Sequence, residues 1–369
     1  MINLLGLAPT EIKQFFLEIG AKPFHGQQVL KWLHQRQVTD FAAMTDLSKM
    51  LRTQLQETAS IELPIISKMQ FSGDGTRKWV LQLADGNQIE TVLIPDGDRN
   101  TLCVSSQVGC VLDCQFCATG KQGFNRDLTS AEIISQLWLA EHALRQEQAQ
   151  KSENKPEHLM KKAISNVVFM GMGEPLLNFT QVMRAVDLMF DDHAYGLSKR
   201  RVTISTAGVV PEIQRMIGRT QASLALSLHA PDDALRSEIV PLNRKYPIKT
   251  LLDTVSTYLK SLHDKRSVTI EYTMLKDVND HDHHAKHLAR LLKCLPCKIN
   301  LIPFNPFPRS EYQSSDAQRI YQFAQLLRQA GYTVTTRSTR GDDIAAACGQ
   351  LVGQVRDRTR RQAFYTLRE

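Results

Sequence analysis

Apolar residues recur at helical spacing through the first sixty positions. Ile12, Phe15, Phe16 and Ile19 share one face of a segment that Thr10 can cap and Gly20 can end. Pro23 and Gly26 punctuate the chain before a second stripe of Val29, Leu30, Trp32 and Leu33. Asp46 can cap a third helix carrying Leu47, Met50, Leu51 and Leu55. These aromatics read as core rather than as a base-stacking platform. From residue 65 to 94 the period falls to two, and Gly73-Asp74-Gly75 and Asp85-Gly86 divide the runs as hairpin turns would. Within residues 88–94 the alternation puts Glu90 on the side of Val92 and Ile94. A solvent-facing strand glutamate and a carboxyl with a raised pKa, suited to accepting a proton, both fit this placement.

After Arg99 the pattern becomes strand, loop, helix, repeated. Strands are expected over residues 101–105, 166–170, 201–205, 223–227, 268–272 and 298–302, with helices over stretches such as 129–145 and 179–190. Repeated βα units predict an α/β fold on a parallel sheet, open or curved towards a barrel. Residues 151–158, polar and holding Pro156, read as an exposed connection. The run Arg356-Asp-Arg-Thr-Arg-Arg361 reads as a basic helix or tail.

Composition narrows the possibilities. The 369 residues, 42% hydrophobic, suffice for about two domains or one large body with an appendage, and exclude global disorder. No run approaches the roughly 18 apolar residues of a membrane helix. The start, Met1-Ile-Asn-Leu-Leu-Gly6, lacks the basic and apolar regions of a secretory signal, so a cytoplasmic protein is expected. Lys and Arg number 45 against 38 Asp and Glu, a net charge of +7 that suits a polyanionic partner without requiring one. Seven cysteines in a reducing compartment point to metal ligation or catalysis before structural disulfides.

The densest chemical signal is Cys110-Val-Leu-Asp-Cys114-Gln-Phe-Cys117, placed just after a predicted strand. Three thiolates from one loop can each hold an iron of a [4Fe–4S] cube and leave the fourth iron open to a small molecule. Zinc is the competing occupant, but it wants four ligands, typically in two pairs. The leftover pair Cys294 and Cys297 would supply one sulfur too many. Further on, a strand runs into Gly171-Met-Gly-Glu-Pro175. Together these motifs resemble the radical S-adenosylmethionine superfamily. The resemblance implies a partial (β/α)6 barrel with one three-cysteine cluster per chain, open to S-adenosylmethionine, whose amino group meets the glycine-rich segment.

Whole segments are similar to the dual-specificity rRNA/tRNA adenine-C2 methyltransferase family, RlmN. They include Cys103-Val-Ser-Ser-Gln-Val-Gly-Cys110, Gly123-Phe-Asn-Arg126, Gly171-Met-Gly-Glu-Pro-Leu-Leu-Asn178, Leu197-Ser-Lys-Arg-Arg-Val-Thr203 and Ser227-Leu-His-Ala-Pro231. Lys298-Ile-Asn-Leu-Ile-Pro-Phe-Asn-Pro-Phe307 and the stretch from Arg340-Gly-Asp-Asp343 to Cys348-Gly-Gln350 continue the match. The resemblance divides the chain into a helical accessory RNA-binding domain (1–60), a small β-hairpin extension carrying Glu90 (61–98), a radical core (99–345) and a C-terminal segment with a methyl-carrying cysteine and basic tail (346–369).

The chemistry it implies answers a real difficulty, because adenine C2 is electron-poor and cannot attack a sulfonium. Two S-adenosylmethionine molecules are used per turnover. Cys348 takes a methyl group from one; the other yields a 5′-deoxyadenosyl radical that takes a hydrogen from that methyl, and the resulting carbon radical adds to the base. Glu90 matches the proton acceptor. Cys103 matches the thiol that releases the product through a transient disulfide with Cys348. Gly173, Glu174, Ser205, Ser227, Leu228, His229 and Asn305 match cofactor-binding positions. Taken alone, either cysteine reads as a small buried hydrophobe and the serines as strand-end turn residues.

The resemblance also implies partners: an adenosine of the 23S rRNA peptidyl-transferase centre, the adenosine 3′ of certain tRNA anticodons, and an electron donor such as flavodoxin. Lys199-Arg200-Arg201 and the arginine-rich tail could anchor phosphates, or simply be solvated. Monomer is the default. A C8-directed rRNA methyltransferase conferring antibiotic resistance shares the cluster and both extra cysteines. A non-catalytic iron–sulfur RNA-binding regulator is the rival of another class. His281, His283, His284 and His287 lie together, with His283 and His287 at a zinc-compatible spacing but no completing glutamate; packing is expected for them, and for Cys294 and Cys297.

Overall fold

Ten strands hydrogen-bond side by side in the order in which the chain makes them. In the computed structural model, residues 1–151, 163–308 and 310–359 are described. The expected connection 151–158, beyond the helix end at Lys151, and Arg360 and Arg361 lie outside the described residues.

The sheet begins as an antiparallel meander of β1 (Ile65–Phe71), β2 (Arg77–Gln82), β3 (Gln88–Asp96) and β4 (Arg99–Cys103). From β4 onward every pairing is parallel, through β5 (Asn166–Phe169), β6 (Val202–Thr206), β7 (Ser223–Ser227), β8 (Val268–Met274), β9 (Cys297–Pro303) and β10 (Val334–Thr336). The six strands expected from the pattern are all present, with ends shifted by one or two residues. The seventh, β10, is too short to carry a readable alternation. The β extension is continuous with this sheet through β3 and β4.

Sequential parallel strands joined by crossovers of one hand carry their helices on one face, which rolls the sheet. Both sides of the parallel strands are therefore covered, and Val167, Phe169, Ile204, Leu226, Ile270 and Leu301 are buried. The roll does not close by strand pairing. The segment after β10 spans the gap instead, bound to the meander at Gly341 N–Asp74 Oδ2 (3.0 Å), Lys78 Nζ–Ala345 O (3.1 Å) and Gln88 N–Gln354 O (2.9 Å). Its described part beyond Leu351 has no helix, so the basic run starts as an extended strap.

The N-terminal helices are α1 (Pro9–Glu18), α2 (Phe24–Leu30) and α3 (Lys49–Thr58). Two expected caps move. Helix α1 starts two residues before Thr10 would allow, because Pro9 suits the first helical position and Glu11 accepts from Ala8 N (3.0 Å). Helix α3 is capped by Ser48, whose Oγ accepts from Leu51 N (3.2 Å), because Asp46 is taken by the indole N–H of Trp32. Met50 is accordingly exposed rather than part of the apolar stripe.

These helices dock on α4 (Ser130–Lys151). Ser130 Oγ donates to Gly6 O (2.7 Å) and Trp138 Nε1 to Leu33 O (2.8 Å). At Gly6 a Cβ would lie 2.3 Å from Ala131 N, whereas at Gly73 it would meet nothing within 4 Å. Gly6→Ala is therefore expected to destabilise the protein by about 1–3 kcal/mol and to speed amide exchange in residues 1–60 first. Gly73→Ala should stay within about 0.5 kcal/mol, as read by thermal unfolding.

Candidate active site

Beyond β4 the chain forms the short strand Gln107–Gly109, paired antiparallel with Phe124–Asp127, and the cysteine loop is the excursion between them. Gly109 is the hinge: its φ is 78°, and a Cβ there would lie 2.1 Å from Gly123 O. Cys110 N donates to Gly123 O (2.8 Å) and Cys117 N to Cys114 O (3.1 Å), folding the loop back on itself. Cys110, Cys114 and Cys117 all face a cavity of about 150 Å³ at the mouth of the rolled sheet. Burial, then mutual repulsion, pushes the Cys110 and Cys114 thiols up, so three thiolates here call for a multivalent cation.

The spacing of the sulfurs bears on which cation. Zinc–sulfur bonds of roughly 2.3 Å in a tetrahedron put sulfurs less than about 4 Å apart. Among the described residues, the one set of three ligand atoms within 4.8 Å of one another is Asp277, Asp280 and His281, away from this loop. Sulfurs that do not converge on one point suit a polynuclear cluster rather than a single ion.

Opposite the loop lies Gly171-Met-Gly-Glu174, at the end of β5. It passes so close to the β4 exit that a Cβ on Gly173 (φ 99°) would sit 2.5 Å from the Gln107 side chain. Glu174 is pinned by Ala207 N (2.8 Å to Oε2) and Leu176 N (3.1 Å to Oε1). Burial nevertheless raises its carboxyl to about 7. On the next strands Ser205 Oγ and Ser227 Oγ both donate to Glu271 Oε2, at 2.8 and 3.2 Å. His229, at φ 62°, accepts from Thr273 N through Nδ1 (3.0 Å), which places its proton on Nε2. Burial lowers it to about 3, so it is neutral, and its ring meets Phe116 edge-on at 4.4 Å. Leu228 packs into the hydrophobic core and reaches this region only through its backbone. Arg236, fully buried, ties the strand ends together by donating to Leu228 O (3.0 Å), Ala207 O (2.6 Å) and Ser227 O (3.1 Å).

A second, much tighter cavity, of about 20 Å³, lies beside the first, and Cys348 lines both. Cys103, Asn305 and Arg337 face the second one. Asn305 Nδ2 donates to Cys348 O (3.2 Å), and Ala118 N, next to Cys117, donates to Gly349 O (2.8 Å). These bonds hold the Cys348 turn against the cysteine loop. Burial pushes the Cys103 thiol up to about 12, with Cys348 adding to the shift; burial also raises Cys348, opposed by Arg337.

Glu90 lies on neither cavity wall. It is 3% exposed, which removes the solvent-facing alternative, and sits under the strap. Its Oε1 pairs with Lys78 Nζ (3.1 Å) and its Oε2 accepts from Val352 N (3.0 Å). Burial raises its pKa, and Lys78 works against the rise.

The distractions settle differently. The His281 ring stacks on those of His283 and His284 at 5.5 and 5.6 Å between centroids, and the His283 and His284 rings meet at a tilt at 3.9 Å. Among the described residues, His283 and His287 form no converging ligand set. Cys294 is exposed, and Cys297 opens β9. Glu271, Lys78 and Arg337 were missed from the pattern. The signal for the first two was a charged residue inside an apolar strand: Val268-Thr-Ile-Glu271-Tyr and Lys78-Trp-Val-Leu81.

Comparison with known proteins agrees with this geometry. Residues 2–61 match the family described as ribosomal RNA large subunit methyltransferase N-terminal domain, and residues 104–289 match the radical SAM superfamily. The chain is 56% identical over 371 residues to a dual-specificity RNA methyltransferase RlmN of Marinomonas sp. (strain MWYL1), covering 100% of this chain and 98% of that one. It is 56% identical over 364 residues to the protein of that name from Marinobacter nauticus, covering 99% and 96%. The crystal structure of a radical SAM methyltransferase from Sphaerobacter thermophilus superposes with a TM-score of 0.85 at 39% identity, over 95% of this chain and 99% of that one. A radical SAM domain implies a [4Fe–4S] cluster and S-adenosylmethionine as cofactors. On its identity to full-length relatives, and on a fold shared along nearly its whole length, the chain belongs to the RlmN family.

Proposed function

We propose that this protein methylates C2 of adenosine in RNA, at one adenosine of the 23S rRNA peptidyl-transferase centre and at the adenosine 3′ of the anticodon in some tRNAs. The observation that carries the reading is the position of Cys348, on the wall shared by two cavities. A methyl group taken up on one side is presented on the other.

Cys110, Cys114 and Cys117 would hold one [4Fe–4S] cluster per chain and leave an iron for S-adenosylmethionine. Gly173 and Glu174 would receive the cofactor's amino end, with Ser205, Ser227, the Leu228 backbone, His229 and Asn305 around the rest. When bound, these groups supply a methyl group and, from a second cofactor molecule, a carbon-centred radical. Cys348 accepts the methyl on sulfur, gives up one of its hydrogens and joins to adenine C2. Glu90, its carboxyl raised by burial and its carboxylate supported by Lys78, accepts the C2 proton, and the surplus electron of the radical adduct would pass back to the cluster. Cys103 then attacks Cys348 sulfur; a disulfide forms, the carbon–sulfur bond breaks, the released carbon takes a proton to complete the methyl group, and the methylated base leaves. The disulfide is reduced before the next turnover.

A one-electron donor such as flavodoxin, a monomeric chain and a cytoplasmic setting complete the proposal. No helix of the described residues is long and apolar enough to cross a membrane. Lys199 and the arginines of the strap supply phosphate anchors, although Arg200 is paired with Asp264 (2.7 Å) and Arg201 with Asn166 (2.9 Å).

Two predictions follow from these assignments. Cys348→Ala should abolish methyl transfer while keeping the cluster's absorption, and Cys103→Ala should leave protein covalently attached to RNA. Nucleoside mass spectrometry of RNA treated anaerobically with the wild type should show 2-methyladenosine. 8-Methyladenosine alone would mark the C8 enzyme, and RNA binding without cofactor consumption would mark a regulator.

The second concerns pH. An ammonium pairs with Glu174 only when the carboxyl is ionised, so below about pH 7 a proton must leave on binding. Cofactor affinity, read by calorimetry on the reconstituted protein, should fall towards roughly tenfold per pH unit below that point. Glu174→Gln should be weak throughout and lose this dependence.

A further inference from the structure

Strand register builds the face of the meander that lies under the strap. Lys78 on β2 stands opposite Val92 on β3, Val80 opposite Glu90, and Val92 in turn opposite Cys103 on β4. Side chains alternate along a strand, so Lys78, Glu90, Val92 and Cys103 share this face, with Lys78 and Glu90 a diagonal cross-strand pair. The strap runs over them from Ala345 to Val352, with Cys348 between. Its middle is bonded to the core at Cys348 O, Gly349 O and Leu351 O, by Asn305 Nδ2 (3.2 Å), Ala118 N (2.8 Å) and Thr119 Oγ1 (2.7 Å).

Lys78 governs both ends of this arc, one directly and one through Glu90. Its ammonium donates to Ala345 O (3.1 Å) and pairs with Glu90 Oε1 (3.1 Å), and Glu90 Oε2 accepts from Val352 N (3.0 Å). Ser105 Oγ fixes the Glu90 backbone by donating to its carbonyl (2.6 Å). Val80 and Val92 flank the pair, and both charged side chains are 5% exposed. For stability alone an apolar pair of similar volume would serve at least as well. An apolar pair could not bond the strap at two places. Nor could a buried glutamate with no cation beside it. It would take up a proton, and a neutral carboxyl is a weaker acceptor for Val352 N and no base for a substrate proton.

We infer that Lys78 is a positioning residue for methyl transfer, its one ammonium holding Glu90 and the Cys348 arc in a single register. The inference rests on the reading of Glu90 as the proton acceptor, and it adds the residue that keeps this acceptor and the methyl-carrying segment together. Lys78 lines neither cavity, so it acts through Glu90 and Ala345 rather than on a reacting atom. The titratable groups that face Glu90 are Lys78 from β2, the exposed Lys68 from β1 and, one row away, the Cys103 thiol from β4. The strap presents the Val352 N–H.

The test compares variants of the full-length reconstituted protein in two ways. The first is the pH profile of 2-methyladenosine formation in RNA at saturating S-adenosylmethionine, which sets aside the effect of Glu174 on cofactor affinity. Lys78 opposes the burial-driven rise of the Glu90 carboxyl, so without it the carboxyl stays protonated to higher pH. Lys78→Met should therefore move the acid limb of the profile up by about one to three units. Lys78→Arg restores the charge and should return the limb to the wild-type position, even at a lower rate. Lys68→Gln should hardly move it, because that ammonium is exposed and screened. The second measurement is hydrogen exchange of the RNA-free protein. Residues 345–352 should exchange several-fold faster in Lys78→Met than in the wild type, with residues 1–60 unchanged. Lys78→Gln keeps an N–H for Ala345 O without the charge and covers the case in which Lys78→Met does not fold; its acid limb should shift in the same direction.

A rate lowered by one factor at every pH, with the limb unmoved, would make Lys78 a merely structural residue and overturn the inference. So would an equal shift in Lys68→Gln, or unchanged exchange in the strap. If the wild type forms no 2-methyladenosine, the methyltransferase reading itself fails, while the exchange measurement still decides whether Lys78 holds the strap.

Discussion

A singly wound parallel sheet leaves an open side, and here the chain's own C-terminal strap covers it. The crossing from β10 to the meander decides where Cys348 stands. Ala345, three residues before it, has φ 49°, a left-handed conformation that costs an alanine roughly 1–2 kcal/mol. Lys78 Nζ donates to that residue's carbonyl while pairing with Glu90, and Glu90 accepts from Val352 N on the far side of the cysteine. One buried ion pair therefore grips the strap on both sides of Cys348. Such a pair contributes little net stability against a hydrophobic replacement, but losing one partner leaves an uncompensated buried charge. Its value is in fixing a geometry.

That geometry separates two incompatible tasks. The larger cavity gathers cysteines, a raised carboxyl and a serine–glutamate cluster. The smaller is apolar with a cationic rim. Cys348 belongs to both, which is the arrangement the proposed methyl-carrier role requires. Burial pushes the Cys103 and Cys348 thiols up, favouring their protonated forms. Arg337, beside both, opposes that rise. Arg236 and Gln107 act one layer out, holding the strand ends at which the cofactor-facing groups sit.

Much of this could be read from the sequence because it is local. The cysteine spacing, the glycines at 171 and 173 and the alternation around Glu90 are each a few residues long. The βα rhythm also announces itself, since fully buried parallel strands are continuous apolar runs between turn residues. What stayed hidden depends on pieces far apart. Lys78 and Glu90 meet because β2 and β3 are adjacent, and the strap crosses the sheet by contacts 262 to 270 residues apart in sequence. Nothing near Arg337 in sequence says that it lies beside Cys348, Cys103 and Glu271. The misplaced caps are a smaller case: at Thr10 the neighbouring Pro9 and Glu11 set an earlier start, and at Asp46 a tertiary partner, Trp32, takes the carboxylate.

The central claim is that Cys348 carries the methyl group between the two cavities. It is tested most directly by peptide mass spectrometry of the reconstituted protein after anaerobic incubation with S-adenosylmethionine and reductant, without RNA. A single added methyl on the peptide containing Cys348, and on no other cysteine, is the predicted result. A methyl on Cys103 or Cys297, or an unmodified Cys348 in protein that has consumed the cofactor, would contradict it.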